Sequence, residues 1–351
     1  MGEKHSLSLP AIGGAGPVFA RRPRRPVSLD TRELVDFGAF SAEQQMPPGF
    51  RPKVDGVDLK SWAASEHELI ASYLRQHGAV LFRNFAIGPE DLSTTVSVLG
   101  GELLPYSVQW TPRTQLADRV FTSTEYPASE SIPLHNEMSY ALCWPGKIFF
   151  YCAQEPATGG ETPIADSRKI YRRIDPEIRE RFAAKGVRYV RHFGGGIDIP
   201  WEQAFHASDR ETVEQDAQKA GMDLEWLDGG VLRSTQVGPG VAAHPETGEK
   251  VWFNQAHLFH ASATSAEIRE SLMARCGPDR LPRMAFYGDG TPIEDSVIRA
   301  IQDACEQEAV CFRWRQGDLL LLDNMLTAHG RRPFSGPRKI MVCMTERSGV
   351  R

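Results

Sequence analysis

The chain has no Cys-x-x-Cys pair, no apolar run near the length of a membrane span and no excess of basic over acidic residues. Each absence removes a class of function. A zinc ribbon needs paired cysteine spacings. A membrane helix needs about 20 consecutive apolar residues. Nucleic-acid binding rests on a surplus of cations to neutralise phosphates, and here 40 Lys and Arg face 45 Asp and Glu for a formal charge of −5. Neither a nucleic-acid partner nor a membrane is expected. The six cysteines, Cys143, Cys152, Cys276, Cys305, Cys311 and Cys343, then read as reduced, buried thiols of a cytoplasmic protein.

The first residues lack an apolar stretch after the run Arg21-Arg22-Pro23-Arg24-Arg25-Pro26, so no secretory or twin-arginine signal is read there. Met1-Gly2-Glu3-Lys4-His5-Ser6 fits the loose myristoylation pattern, which is too short to carry weight. Residues 1–45 are expected to be a disordered or extended segment. The remainder has ordinary globular character, in a chain that is 41% hydrophobic and 24% charged overall, and 46–351 reads as a single domain.

Periodicity gives the coarse organisation. Leu69, Ile70, Tyr73 and Leu74 predict a helix over Glu66–Gln76 that stops at Gly78, and Ala79–Phe85 predicts a strand. A helix is expected over Pro89–Leu99, a strand over Lys147–Cys152, and a helix from Asp175-Pro176 to Lys185. Residues 192–310 mix short strands with helical patterns near 208–219, 265–275 and 294–307, and read as an insertion. Strands are expected at Val310–Arg315, Leu319–Leu322 and Lys339–Thr345. Strands at both ends around a helical insertion predict a mainly β fold with helical additions, built on a double-stranded β-helix of the jelly-roll, cupin-like kind.

The chemistry concentrates in His135 and Glu137, two residues apart, and His329 far downstream. On a strand, residues i and i+2 face the same way, so His135 and Glu137 would point together and Asn136 away. A His-x-Glu alone arises by chance in many chains, and only folding can bring His329 to it. Two imidazoles and one carboxylate are the ligand set of non-haem Fe(II) oxygenases, which leave sites open on the metal.

Three blocks add what spacing cannot: Leu134-His135-Asn136-Glu137-Met138-Ser139-Tyr140, Pro156-Ala157-Thr158-Gly159-Gly160-Glu161-Thr162, and Asp323 to Arg338, which contains His329-Gly330-Arg331-Arg332-Pro333-Phe334. With them the chain resembles the TauD/TfdA-like, clavaminate-synthase-like Fe(II)/2-oxoglutarate dioxygenases over roughly residues 50–347. Phe253-Asn254-Gln255-Ala256-His257-Leu258-Phe259-His260 adds a resemblance to the SyrP-like subgroup.

The resemblance implies that His135, Glu137 and His329 bind Fe(II). It implies that Thr162 and Arg338 hold the C5 carboxylate of 2-oxoglutarate, with O2 as the other cosubstrate. A planar guanidinium suits a carboxylate, and the strand pleat would turn the neighbouring Lys339 the other way. Retention of Glu137 argues against halogenation, for which related enzymes replace the carboxylate by a small residue. Val342 stands where taurine-type members carry a second, substrate-gripping arginine, so sulfonates are not expected. The SyrP-like resemblance implies hydroxylation of an amino-acid-like substrate, free or tethered to a carrier protein.

Asn254, Gln255, Arg331 and Arg332 are candidate substrate contacts. His257 and His260 are read as structural, and Trp110, Trp144 and Trp252 as packing. Desaturation, epoxidation or cyclisation with the same cofactors, a non-catalytic metal-binding protein, and a cupin-type isomerase or hydrolase stay open.

Overall fold

The computed structural model describes residues 31–38, 47–105, 114–124, 126–196 and 198–349. The basic run, the myristoylation pattern and Trp110 lie outside them. Of the segment 1–45, the described part carries the strand Val35–Gly38, which pairs antiparallel with Gly49–Pro52.

The central strands are made by residues apolar on both faces. In Leu319–Asp323, Leu319 and Leu321 face a cluster under the N-terminal helices, whereas Leu320 and Leu322 face the opposite cluster with Ile164, Phe312 and Trp314. The same alternation divides Val80 and Phe82 from Ala79 and Leu81, and Phe149 and Tyr151 from Ile148, Phe150 and Cys152. Burial on both faces explains why these segments read as continuous apolar runs. The resulting sheet runs Val35–Gly38, Gly49–Pro52, Ala79–Phe82, Leu319–Asp323, Cys143–Gln154, Lys339–Gly349, Val120–Thr122 and Gln115–Ala117.

The helices Leu59–Ser65, His67–His77 and Leu92–Gly100 cover one face of it, with Leu59, Trp62, Ile70, Leu74, Val96 and Leu99 buried there. Gly78 ends the second helix at φ +72°, and a Cβ there would collide with the Thr327 hydroxyl. Only glycine lets this helix turn directly into the strand Ala79–Phe82 so close to the strand that carries His329.

The other face meets a three-stranded sheet, in which Thr327–Arg331 lies between Ile132–His135 and Ile164–Asp166. In the second sequence block Thr158–Gly159 forms a short strand paired with Phe334–Ser335, which ties that block to the third. A four-stranded sheet, Asp223–Trp226, Leu232–Gly238, Val187–Phe193 and Arg283–Tyr287, carries much of the inserted region. The helix Asp295–Gln307 packs Val297, Ile298 and Ile301 into a core shared with Leu134, Tyr140 and Ala165, next to the metal-type residues.

One expected strand is absent. Val310–Arg315 forms only an isolated bridge, Val310 to Ile164. Its apolar residues are buried because Phe312 and Trp314 plug the space beside the main sheet, not because the segment joins it. Among the described residues, no helix is long and apolar enough to cross a membrane. Cys152, Cys305 and Cys343 are buried, but Cys311 is exposed.

Candidate active site

The antiparallel register places His329 directly opposite His135. Their ring centroids are 4.5 Å apart, and His329 Nε2 lies 3.8 Å from a Glu137 carboxylate oxygen. One ligand atom from each of the three residues falls within 4.8 Å of the others. The sequence spacing is bridged by cross-strand pairing, and glycine is needed for it. A Cβ on Gly330 would stand 2.5 Å from the Ile132 carbonyl oxygen of the neighbouring strand.

Glu137 arrives by a different route from the one expected. The strand ends at His135, and Glu137 opens a turn over 137–140 in which Met138 takes φ +56°. Strand alternation therefore does not aim the carboxylate; a buried amide does. The Asn324 Oδ1 accepts from the Glu137 backbone N–H at 2.7 Å, and Asn324 Nδ2 donates to the Glu137 and Pro145 carbonyls at 2.9 and 2.8 Å. Asn136 does point away, donating to the Asn324 carbonyl at 2.6 Å and to Ser167 Oγ at 3.0 Å.

These contacts predict the behaviour of Asn324→Ala. Both backbone groups of the Glu137 peptide lose their partners in a buried setting, at a cost of about 1–3 kcal/mol each. Iron affinity is expected to fall by about 10–100-fold, measured by titration of the apoprotein with Fe(II) under argon.

The donor set fits Fe(II). His135 Nδ1 lies 2.8 Å from the Pro133 carbonyl. In the neutral ring Nδ1–H donates there, which leaves the Nε2 lone pair for a metal. Glu137 and His329 are buried, and Phe150 packs 5.0 Å from the His329 ring. Two nitrogens and one carboxylate oxygen suit a non-haem iron rather than a thiolate-rich zinc site.

A cavity adjoins the triad. Its walls include both histidines, Ser123, Phe150, Thr162, Arg331, Arg338 and Val342. A larger cleft of about 840 Å³ runs between Gly194 and Trp201. It shares no wall residue with the first cavity, so chemistry rather than size locates the site. Arg338 donates to the Gly160 carbonyl at 3.1 Å and lies over the Phe334 ring at 5.4 Å. No carboxylate of the described residues forms an ion pair with it. Burial, and then the Arg331 guanidinium, push Arg338 down to about 10. Two cations share one apolar-walled cavity, which favours an anionic ligand. Lys339 is exposed outside this cavity, at the start of the last strand.

The charge on Arg338 sets a pH window for the binding of any anion in this cavity. Its proton is held less tightly than in free arginine, so the guanidinium is charged at neutral pH and loses its charge as pH rises through about 10. Affinity for 2-oxoglutarate is expected to stay level from neutral pH to about one unit below that value and to weaken above it. Equilibrium titrations across that range check this.

The four candidate substrate contacts do not gather at the cavity. Arg331 lines it, but its guanidinium donates to the Tyr126, Pro127 and Glu130 carbonyls at 2.9, 2.6 and 2.8 Å. Arg332 pairs with Glu306. Asn254 is buried and bonds to the Gly240 carbonyl at 2.6 Å and the Ala256 N–H at 3.0 Å. Gln255 donates at 2.8 Å to the carbonyl of Asn136, so it braces the metal-type turn. For Arg331, Asn254 and Gln255 the cause is the same: backbone groups left over by turns claim the side chains. For Arg332 a carboxylate does so.

His257 also serves the backbone, with Nε2 at 2.8 Å from the Leu134 carbonyl, and burial pushes it down to about 4. His260 bonds Ser262 and the Ile293 carbonyl. Trp144 packs on Phe253 and Trp252 on Phe182. Three contributors went unseen in the sequence: Asn324, Trp314, which donates to Thr162 at 3.0 Å, and the His244–Asp323 pair at 3.0 Å. Asp323 Oδ1 in turn accepts from the Met325 and Leu326 N–H groups. The dipeptide Asp323-Asn324 carried a polar signal after an apolar strand, but nothing in it named a partner.

Residues 42–344 match the family described as Taurine catabolism dioxygenase TauD, TfdA family, and the chain belongs to that family. It is a 2-oxoglutarate-dependent dioxygenase, and its cofactor and cosubstrates are Fe(II), 2-oxoglutarate and O2. It is 41% identical over 281 residues to the dapdiamide synthesis protein DdaC of Enterobacter agglomerans, covering 80% of this chain and 85% of that one. It is 35% identical over 292 residues to a clavaminate synthase-like protein of Arabidopsis thaliana, with the same coverages of 80% and 85%. Among solved structures, PvcB, an Fe, alpha-ketoglutarate dependent oxygenase from an isonitrile synthetic pathway, shares the fold with a TM-score of 0.52 and 16% identity. That match covers 95% of this chain and 96% of PvcB.

Proposed function

We propose that the chain hydroxylates an amino acid or amino-acid-derived substrate, free or carried on a carrier protein, in a specialised biosynthetic pathway of the cytoplasm. In this reading the main and three-stranded sheets are the two sides of a double-stranded β-helix. His135, Glu137 and His329 hold the iron between them. Thr162 and Arg338 receive the C5 carboxylate of 2-oxoglutarate. Bound iron supplies the activation of O2 that couples decarboxylation of 2-oxoglutarate to oxidation of a C–H bond.

The chain's own residues do the rest. Asn324 keeps the Glu137 turn in place. Phe150 and Val342 give the cavity apolar walls that limit water. Arg338 sets the direction in which the cosubstrate lies.

The observation that carries the reading is the cross-strand pair His135–His329 with Glu137 beside it, opening onto a cavity that contains Arg338. Glu137 keeps the carboxylate that related halogenating enzymes replace by a small residue, which supports hydroxylation over halogenation. Val342 is apolar and buried on the cavity wall, which supports a substrate without a sulfonate. The roles that the relatives' names carry, in dapdiamide synthesis and an isonitrile pathway, support a biosynthetic setting.

Incubation with Fe(II), 2-oxoglutarate, air and a panel of free and carrier-bound amino acids tests this by mass spectrometry. The expected product is heavier by one oxygen atom, with succinate formed in equal amount. Turnover of sulfonates alone defeats the reading, and a product lighter by two hydrogens replaces hydroxylation by desaturation.

A further inference from the structure

We propose that Trp314 is a positioning residue for 2-oxoglutarate: its indole N–H takes one lone pair of Thr162, and so turns the Thr162 hydroxyl hydrogen toward the cosubstrate. This rests on the reading that Thr162 meets the C5 carboxylate.

An indole nitrogen is a donor only, whereas a threonine hydroxyl has one hydrogen and two lone pairs. The Trp314 Nε1 to Thr162 Oγ1 bond of 3.0 Å therefore has a single possible direction. Thr162 cannot return its hydrogen to Trp314, so that hydrogen is left for another acceptor. Thr162 is buried and lines the cavity that Arg338 and both histidines share. A carboxylate, which only accepts, is the chemical class that this hydroxyl and the Arg338 guanidinium can both serve.

Trp314 is itself held. It is 1% exposed, and the Phe312 ring packs 4.8 Å away. It sits in the segment that does not form a strand, so ladder hydrogen bonds do not fix it. A buried fork does so instead. Arg83 meets Asp318 through two bonds of 2.9 and 2.6 Å and also donates to the Arg313 carbonyl at 3.0 Å. Asp318 accepts from the Arg315 N–H at 2.8 Å. The backbone on both sides of Trp314 is thus pinned to one ion pair, and the indole has a fixed aim. An ordered donor costs no reorganisation when ligand arrives.

The test is a double-mutant cycle on 2-oxoglutarate affinity, read from the visible absorption of the anaerobic Fe(II) protein. Thr162→Val and Trp314→Phe are each expected to weaken affinity, the latter about fivefold, the effect of one neutral hydrogen bond. The double variant is expected to bind no more weakly than Thr162→Val alone, because Trp314 acts through the hydroxyl. Unchanged affinity in Trp314→Phe, or effects that multiply, overturns the inference while leaving Thr162 in its role. Unchanged affinity in Thr162→Val overturns that role, and the inference with it.

A second measurement needs no change at Trp314. The chain has seven tryptophans. In nitrogen-15 spectra of the Zn(II)-loaded protein, Thr162→Val is expected to move one indole N–H signal, and 2-oxoglutarate is expected to move that same signal in the parent protein. No indole shift on 2-oxoglutarate addition contradicts the proposal.

Discussion

Replacing His135 with alanine is expected to abolish iron binding and, with it, succinate release, while the chain stays folded. The imidazole is one of three donors that converge among the described residues, and its loss leaves one histidine and one carboxylate of that group. Changes one shell further out typically cost 10–100-fold in metal affinity, so removal of a ligand is expected to exceed about 100-fold. The structural loss is smaller. The strand Ile132–His135 is held by backbone pairing to Thr327–Arg331, and the ring's bond to Pro133 contributes about 1 kcal/mol. Iron content after gel filtration, with a melting curve alongside, separates the two effects. A variant that keeps its iron removes His135 from the ligand set.

Replacing Arg338 with glutamine is expected to separate cosubstrate from metal. The variant retains iron but loses affinity for 2-oxoglutarate by roughly 100-fold, about 3 kcal/mol. The magnitude is large because the carboxylate would be left in a cavity walled by Phe150 and Val342, with little water to replace the guanidinium. Arg331 does not substitute for it, since its guanidinium is committed to three backbone carbonyls. Equilibrium binding of 2-oxoglutarate under argon reads the loss. A drop in iron affinity of the same size would instead mean that Arg338 supports the metal turn.

The residues that the structure gathers at the candidate site could be picked out from the sequence. His135, Glu137, His329, Thr162 and Arg338 all stand out from three blocks, and four of these five residues line one cavity. Glu137 completes the triad. Strand alternation is the wrong reason for Glu137, because period two applies only while a strand lasts, and this one ends at His135. Helix ends were legible where chemistry marks them. Asp175-Pro176 starts the helix Pro176–Lys185 and Gly78 stops His67–His77. The short helix Leu59–Ser65 was missed, since seven residues hold too few turns to show a period.

Polar partnerships were the illegible part. Asn254 and Gln255 look like substrate contacts because they are polar residues after an apolar strand. Their bonds to Gly240 and Asn136 exist only once separate turns are packed together. Trp314 was hidden for the same reason, since Val310–Arg315 has a strand-like composition while the indole N–H finds Thr162 only in the folded chain.

We propose one iron site and one cosubstrate site built side by side from His135, Glu137, His329, Thr162 and Arg338. The most direct measurement is the anaerobic addition of Fe(II) and then 2-oxoglutarate to the protein, with visible absorption as the readout. A weak band is expected that needs both additions, saturates at one equivalent of each, and disappears in His329→Ala. No band in the parent protein, or an unchanged band in that variant, would contradict this pair of sites.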